Sequence, residues 1–216
     1  MTRLEGPAFH WFALGVAPAK LPSIPGGELR AAGPLLLSSD LPIAIGRDGA
    51  LYYARLHGRL QMMRGDSVFA TLPASARWVN GLTVTPDGSL YYTEDAAVRK
   101  IDRRGVVSTI VENVAVPNCE PIPGTEYPPY LRGLAVAPDG TVYVAAAGCG
   151  ALLKITRGRI EPLLRMRTPW SPTAVAVANG EIYVLEYLHT MGDDRRQWIP
   201  RVRKLIRDGK QVMLTR

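Results

Sequence analysis

Short apolar runs alternate with tight polar turns along most of the chain, and the alternation repeats. Asn80-Gly-Leu-Thr-Val-Thr-Pro-Asp-Gly-Ser-Leu-Tyr-Tyr-Thr93 is matched almost residue for residue by Arg132-Gly-Leu-Ala-Val-Ala-Pro-Asp-Gly-Thr-Val-Tyr-Val-Ala145. Weaker copies run from Leu41 to Ala54 and from Thr173 to Leu185, the last one residue shorter before its turn. The turn residues Asp48, Asp87, Asp139 and Asn179 stand 39, 52 and 40 positions apart. Each copy predicts two strands joined by an Asp-Gly or Asn-Gly turn, since Asp and Asn tolerate left-handed backbone and Gly takes it freely. The strand before the turn is small and apolar, whereas the one after it carries Tyr and β-branched residues suited to a pleated surface.

Two further strands follow each copy. The third strands are Leu60–Met63, Val98–Ile101, Leu152–Ile155 and Val202–Leu205, and the outer ones are Val68–Leu72, Val107–Val111, Ile160–Leu164 and Gln211–Leu214. Four strands per unit at a period near 40 residues make propeller blades. A β-sandwich would contain similar hairpins, but it has no reason to repeat its sequence. The expected fold is therefore all-β, a β-propeller of four-stranded blades. The repeats divide at about 41–79, 80–131, 132–171 and 172–216, with residues 1–40 as an N-terminal segment or degenerate blade.

Asn80–Thr93 and Arg132–Ala145 resemble the NHL-type and senescence-marker/gluconolactonase-type repeats of six-bladed propellers. The resemblance extends over about residues 41–216 through short, degenerate motifs. Six such blades would need about 240 residues, and the chain has 216 with four legible copies. The ring is then either completed by a degenerate first blade or incomplete, and an incomplete ring exposes sheet edges that invite self-association.

The resemblance also implies a site. In gluconolactonase-type propellers an Asn followed by Gly-Leu supplies a ligand to a divalent metal such as calcium or zinc, and Asn80-Gly81-Leu82 matches it. The family's first-blade Glu has a counterpart in Glu5-Gly6-Pro7. Where the next blade of the family offers an Asp, this chain has Arg132, a fixed cation that repels a dication and suits a carboxylate or other anion instead. The residues entering the inner strands, Leu41, Asn80, Arg132 and Thr173, are expected at the mouth of the central funnel.

Two other features fall on that face. The stretch Glu186–Trp198 interrupts the fourth copy and gathers Glu186, His189, Asp193, Asp194 and Arg195. Loops on rigid scaffolds often carry function, and Glu186 with His189 could serve as an acid–base pair, Asp193, Asp194 and Arg195 as ligand contacts. A salt-bridged surface loop is the plainer reading of the same residues. Cys119, in the Pro-rich crossing before the third copy, and Cys149, in the Ala146-Ala-Gly-Cys-Gly150 loop, are close enough for a disulfide. A bond would argue for an exporting route, and free thiols would be small hydrophobes.

Charge changes little in this picture. The net charge is +7, and Arg157–Arg216 holds 12 Lys and Arg against 6 Asp and Glu. These cations alternate with apolar residues, as in Arg201-Val202-Arg203, and no nucleic-acid motif accompanies them, which reads as solvated outer strands. No apolar run approaches a membrane span. Trp11–Ala17 with Ala17-Pro-Ala19 has a weak secretory look, spoiled by Glu5 and Pro7, so the compartment stays open. No phosphate loop, serine elbow or His-Glu-x-x-His motif is present. Two functions are expected: a binding or scaffold propeller whose funnel face takes a small anion or a protein partner, or a metal-dependent lactonase.

Overall fold

A computed structural model of the chain describes residues 42–54, 59–64, 67–75, 78–122, 128–188, 200–206 and 209–214. Among the described residues sixteen strands form four antiparallel sheets, each taken by the chain in simple meander order. The first sheet comprises β1 Ile43–Ile45, β2 Leu51–Ala54, β3 Arg59–Arg64 and β4 Ser67–Ser75. The second comprises β5 Val79–Val84, β6 Leu90–Glu94, β7 Ala97–Ile101 and β8 Val107–Val111. The third holds β9 Leu131–Val136, β10 Val142–Ala146, β11 Ala151–Thr156 and β12 Arg159–Arg165, with a 3-10 turn at Ala147–Cys149. The fourth holds β13 Trp170–Ala178, β14 Glu181–Leu188, β15 Pro200–Leu205 and β16 Gln211–Met213. The described residues form an all-β propeller of four blades.

The core lies between blades rather than within them. Leu60, Leu82, Leu90 and Tyr92 join the first blade to the second. Val98, Leu134, Val144, Leu153 and Ile155 join the second to the third. Leu152, Leu164, Val184 and Leu205 join the third to the fourth. Leu152 and Leu153 are both fully buried because successive strand residues point to opposite faces, and each face of the third blade meets a neighbour. Burying one such side chain contributes about 1.5–3 kcal/mol. The inner strands stand side by side in the order β1, β5, β9, β13. Among the described residues no comparable contact returns from β13 to β1.

The hairpin turns come in two kinds. In the fourth copy Asn179 and Gly180 have φ of 52° and 76° between the paired Ala178 and Glu181, a two-residue turn of the left-handed sort. The other three are one residue longer and are held by their aspartates. Asp139 Oδ1 accepts from the Thr141 N–H at 2.9 Å, and Asp87 accepts from the Ser89 N–H at 3.1 Å and from the Thr85 hydroxyl. These bonds, that from Thr85 foremost, hold the Asp87 carboxyl down at about 2. The single-residue deletion in the fourth copy thus changes the turn class, which a uniform tight turn did not anticipate.

Candidate functional site

Asn80, Arg132 and Thr173 do not precede their strands, as expected from sequence; they lie inside them, each as the extra residue of a β-bulge. In the second blade Val79 faces Glu94 and Gly81 faces Thr93, which leaves Asn80 unmatched. In the fourth Pro172 faces Glu186 and Ala174 faces Leu185, leaving Thr173. The third blade has the same shift, with Arg132 and Gly133 spanning the step opposite Ala145. A bulge bends its strand and re-aims a side chain, and bulges concentrate beside functional sites. Three at one level of three neighbouring strands make a repeated device. Leu41 lies outside the described residues.

The residue after each bulge explains how the strands come together. A Cβ on Gly81 would lie 2.2 Å from the Arg132 carbonyl oxygen, and one on Gly133 would lie 2.8 Å from the Ala174 Cα. Neither position admits a side chain without moving backbone. The Thr93 hydroxyl donates to the Arg132 carbonyl at 3.0 Å, and the Thr173 hydroxyl donates to the Leu185 carbonyl at 3.3 Å. The backbone around Arg132 is therefore fixed from both sides. Its guanidinium stands over the Tyr130 ring, 5.7 Å from the centroid, and makes no ion pair with a carboxylate among the described residues.

Behind Tyr130 sits the 3-10 turn. The Ala147 N–H donates to the Tyr130 carbonyl and the Gly148 N–H to the Pro129 carbonyl, each at 3.0 Å. The Ser171 hydroxyl donates to the Ala147 carbonyl at 2.8 Å, and the Ile122 N–H to the Gly148 carbonyl at 3.1 Å. Cys149 is bonded to Cys119 with the two Cα atoms 5.0 Å apart, which ties the crossing segment to this turn. Arg165 also holds that segment, donating to the Pro117 and Asn118 carbonyls.

Glu186 is not in the loop where the sequence reading put it but within β14, fully buried. Arg201 Nε and Arg203 Nε each donate to it at 2.6 Å, and Arg201 stacks on the Trp170 ring at 3.5 Å. Both of its oxygens accept from arginines, and the side chain is out of contact with solvent. Sequence reasoning missed this cluster although a signal existed. Glu186 shares its strand face with Ile182 and Val184, and Arg201 and Arg203 share theirs with Leu205, so the period-2 alternation sends all three charges into one interface.

Glu5, His189, Asp193, Asp194 and Arg195 lie outside the described residues. Among the described residues no three His, Cys, Asp or Glu side chains gather as metal ligands. Of the two expected metal ligands, Asn80 lies at the second blade's bulge, next to the strand that carries Arg132, and Glu5 lies outside the described residues.

No protein-family model matches the sequence, and no curated protein matches it. Solved structures do match in fold. A gluconolactonase from Xanthomonas campestris aligns with a TM-score of 0.56 at 14% identity, over 79% of this chain and 59% of that one. A streptogramin B lyase aligns at 0.54 and 17% identity, over 80% of this chain and 53% of the lyase. A chain of a nidogen/laminin complex aligns at 0.52 and 16% identity, over 79% and 60%. The chain thus spans little more than half the length of these propellers, and what it shares with them is the β-propeller fold.

Proposed function

We propose that the chain is a binding propeller whose funnel mouth holds an anion, with Arg132 taking the charge. Asn80 and Thr173, at the equivalent bulges of the adjoining blades, add hydrogen-bonding groups on either side. The observation that carries this reading is the state of Arg132. Its backbone is fixed by flanking strands, and its guanidinium stands over an aromatic ring and meets no carboxylate among the described residues. A pre-positioned guanidinium favours a carboxylate or phosphate, which it can grip with two parallel hydrogen bonds. The anion can be a free small molecule or an acidic side chain of a partner protein, the latter in keeping with a propeller of like fold in a nidogen/laminin complex.

Calorimetric titration with citrate and with inorganic phosphate tests the proposal. Wild type should bind at least one of them, and Arg132→Glu should lose that binding; equal affinity in both chains would refute it. A second reading, a metal-dependent lactonase, is favoured by Asn80-Gly81-Leu82 and by fold likeness to a gluconolactonase. It requires metal-dependent lactone turnover that Asn80→Ala abolishes.

A further inference from the structure

Tyr130 adopts a left-handed backbone with φ of 43°. Asp95, Asn118, Arg157 and Asn179 also have positive φ, but Tyr130 is the one aromatic residue in that group. A bulky side chain gains nothing locally from this conformation, which its surroundings must impose. They do so here. The Tyr130 carbonyl is held by the Ala147 N–H, and the preceding carbonyl of Pro129 by the Gly148 N–H. A Cβ on Gly148 would lie 3.0 Å from the Tyr130 Cβ, so the turn packs directly against the tyrosine with no room for a side chain between them. The turn is anchored in its own right by the Cys119–Cys149 bond and by the buried Ser171 hydroxyl. What the enforced conformation achieves is the placement of the ring beneath the Arg132 guanidinium.

We infer that Tyr130 is the positioning residue of the funnel-mouth site: it holds the Arg132 guanidinium in place for an incoming anion, and the disulfide-anchored Ala147–Cys149 turn holds Tyr130. This rests on the anion-binding reading of Arg132 for its functional meaning, though the positioning itself can be measured without a ligand. A cation–π contact at 5.7 Å uses none of the guanidinium N–H groups, so platform and anion do not compete. The arrangement also predicts an unusual separation of stability from binding. Replacing Tyr130 with Gly or Asn relieves the left-handed strain while removing the platform.

The test uses the full, oxidised chain with Tyr130→Gly, Tyr130→Asn and Tyr130→Phe. Three quantities are read: the phenylglyoxal labelling rate of Arg132 by peptide mass spectrometry, affinity for inorganic phosphate, and thermal midpoint. Gly and Asn should raise the labelling rate several-fold and weaken phosphate by about fivefold, the scale of a cation–π contact. Their midpoint should hold or rise, and Phe should restore both labelling and affinity to the wild-type range. A midpoint that falls in step with affinity would make Tyr130 merely structural and overturn the inference, as would unchanged Arg132 labelling in both variants. Altered labelling with no phosphate bound by wild type would uphold the positioning role and refute phosphate binding at Arg132.

Discussion

The second and fourth blades carry a glutamate at the same place and answer it differently. Glu94 and Glu186 each stand opposite the residue that precedes a bulge, Val79 in one blade and Pro172 in the other. Each receives an arginine Nε at 2.6 Å from the diagonal position of the next strand, Arg99 or Arg203. Glu94 remains partly exposed, and Arg99 goes on to the exposed Glu112. Glu186 has no contact with solvent; it has gained a second arginine, Arg201, which is itself stacked on Trp170. In the third blade the same position is Ala146, and the chain turns there into the disulfide-bonded hub. The lesson is that one inherited position serves as a surface ion pair, a buried charge cluster or a neutral entry to a turn. Burial decides among them, because a buried carboxylate must have every lone pair answered.

The largest effect should come from breaking the buried member. Glu186→Ala leaves two arginines in a blade interface without their acid and should cost about 3–5 kcal/mol. Glu94→Ala leaves Arg99 with Glu112 and should cost about 1 kcal/mol or less. Denaturant midpoints of the two variants check this; equal losses would show that burial does not distinguish the sites.

A change at the bulges should have an intermediate effect. Gly133→Ala puts a methyl group 2.8 Å from the Ala174 Cα, and forcing the inner strands apart should cost about 1–3 kcal/mol. Because Arg132 and Thr173 border that contact, anion binding should weaken more than stability alone would suggest. Parallel midpoint and affinity measurements separate the two, and unchanged affinity would show that strand spacing does not set the site.

The smallest effect belongs to the turn aspartates. Asp87 falls from the ordinary 3.8 to about 2 in the folded chain. A folded value below the unfolded one contributes stability above the unfolded pKa and loses it as pH falls through the folded one. Asp87→Asn should therefore unfold slightly earlier than wild type near neutrality, by under about 1 kcal/mol because the site is exposed, with the difference vanishing as pH approaches 2. A difference that persists at the acid end would assign the effect to something other than the carboxylate.

Much of the fold was legible because the blades repeat. Strand β8 falls at Val107–Val111 as the pattern places it, and the other third and outer strands agree within a few residues. The bulges were not legible, since an extra residue leaves no mark on period-2 alternation until strand partners are known. Sequence could nominate Asn80, Arg132 and Thr173 by their common place in the repeat, but not reveal that they sit inside strands. Tyr130 gave no signal at all, because its importance comes from a backbone angle imposed by the turn 17 residues downstream. Glu186 reads as a loop residue from sequence because polar residues begin there, yet β14 runs on through Leu188.

Receipt of negative charge at the funnel mouth is the proposal on which the rest depends. The most direct measurement is calorimetry on one wild-type preparation, titrated with inorganic phosphate or citrate and, separately, with calcium. A funnel mouth that takes anions should give a saturable anion isotherm, weakened by rising salt, and no calcium site that depends on Asn80. A stoichiometric calcium site lost in Asn80→Ala, with no anion bound, would contradict it and return the chain to the lactonase reading.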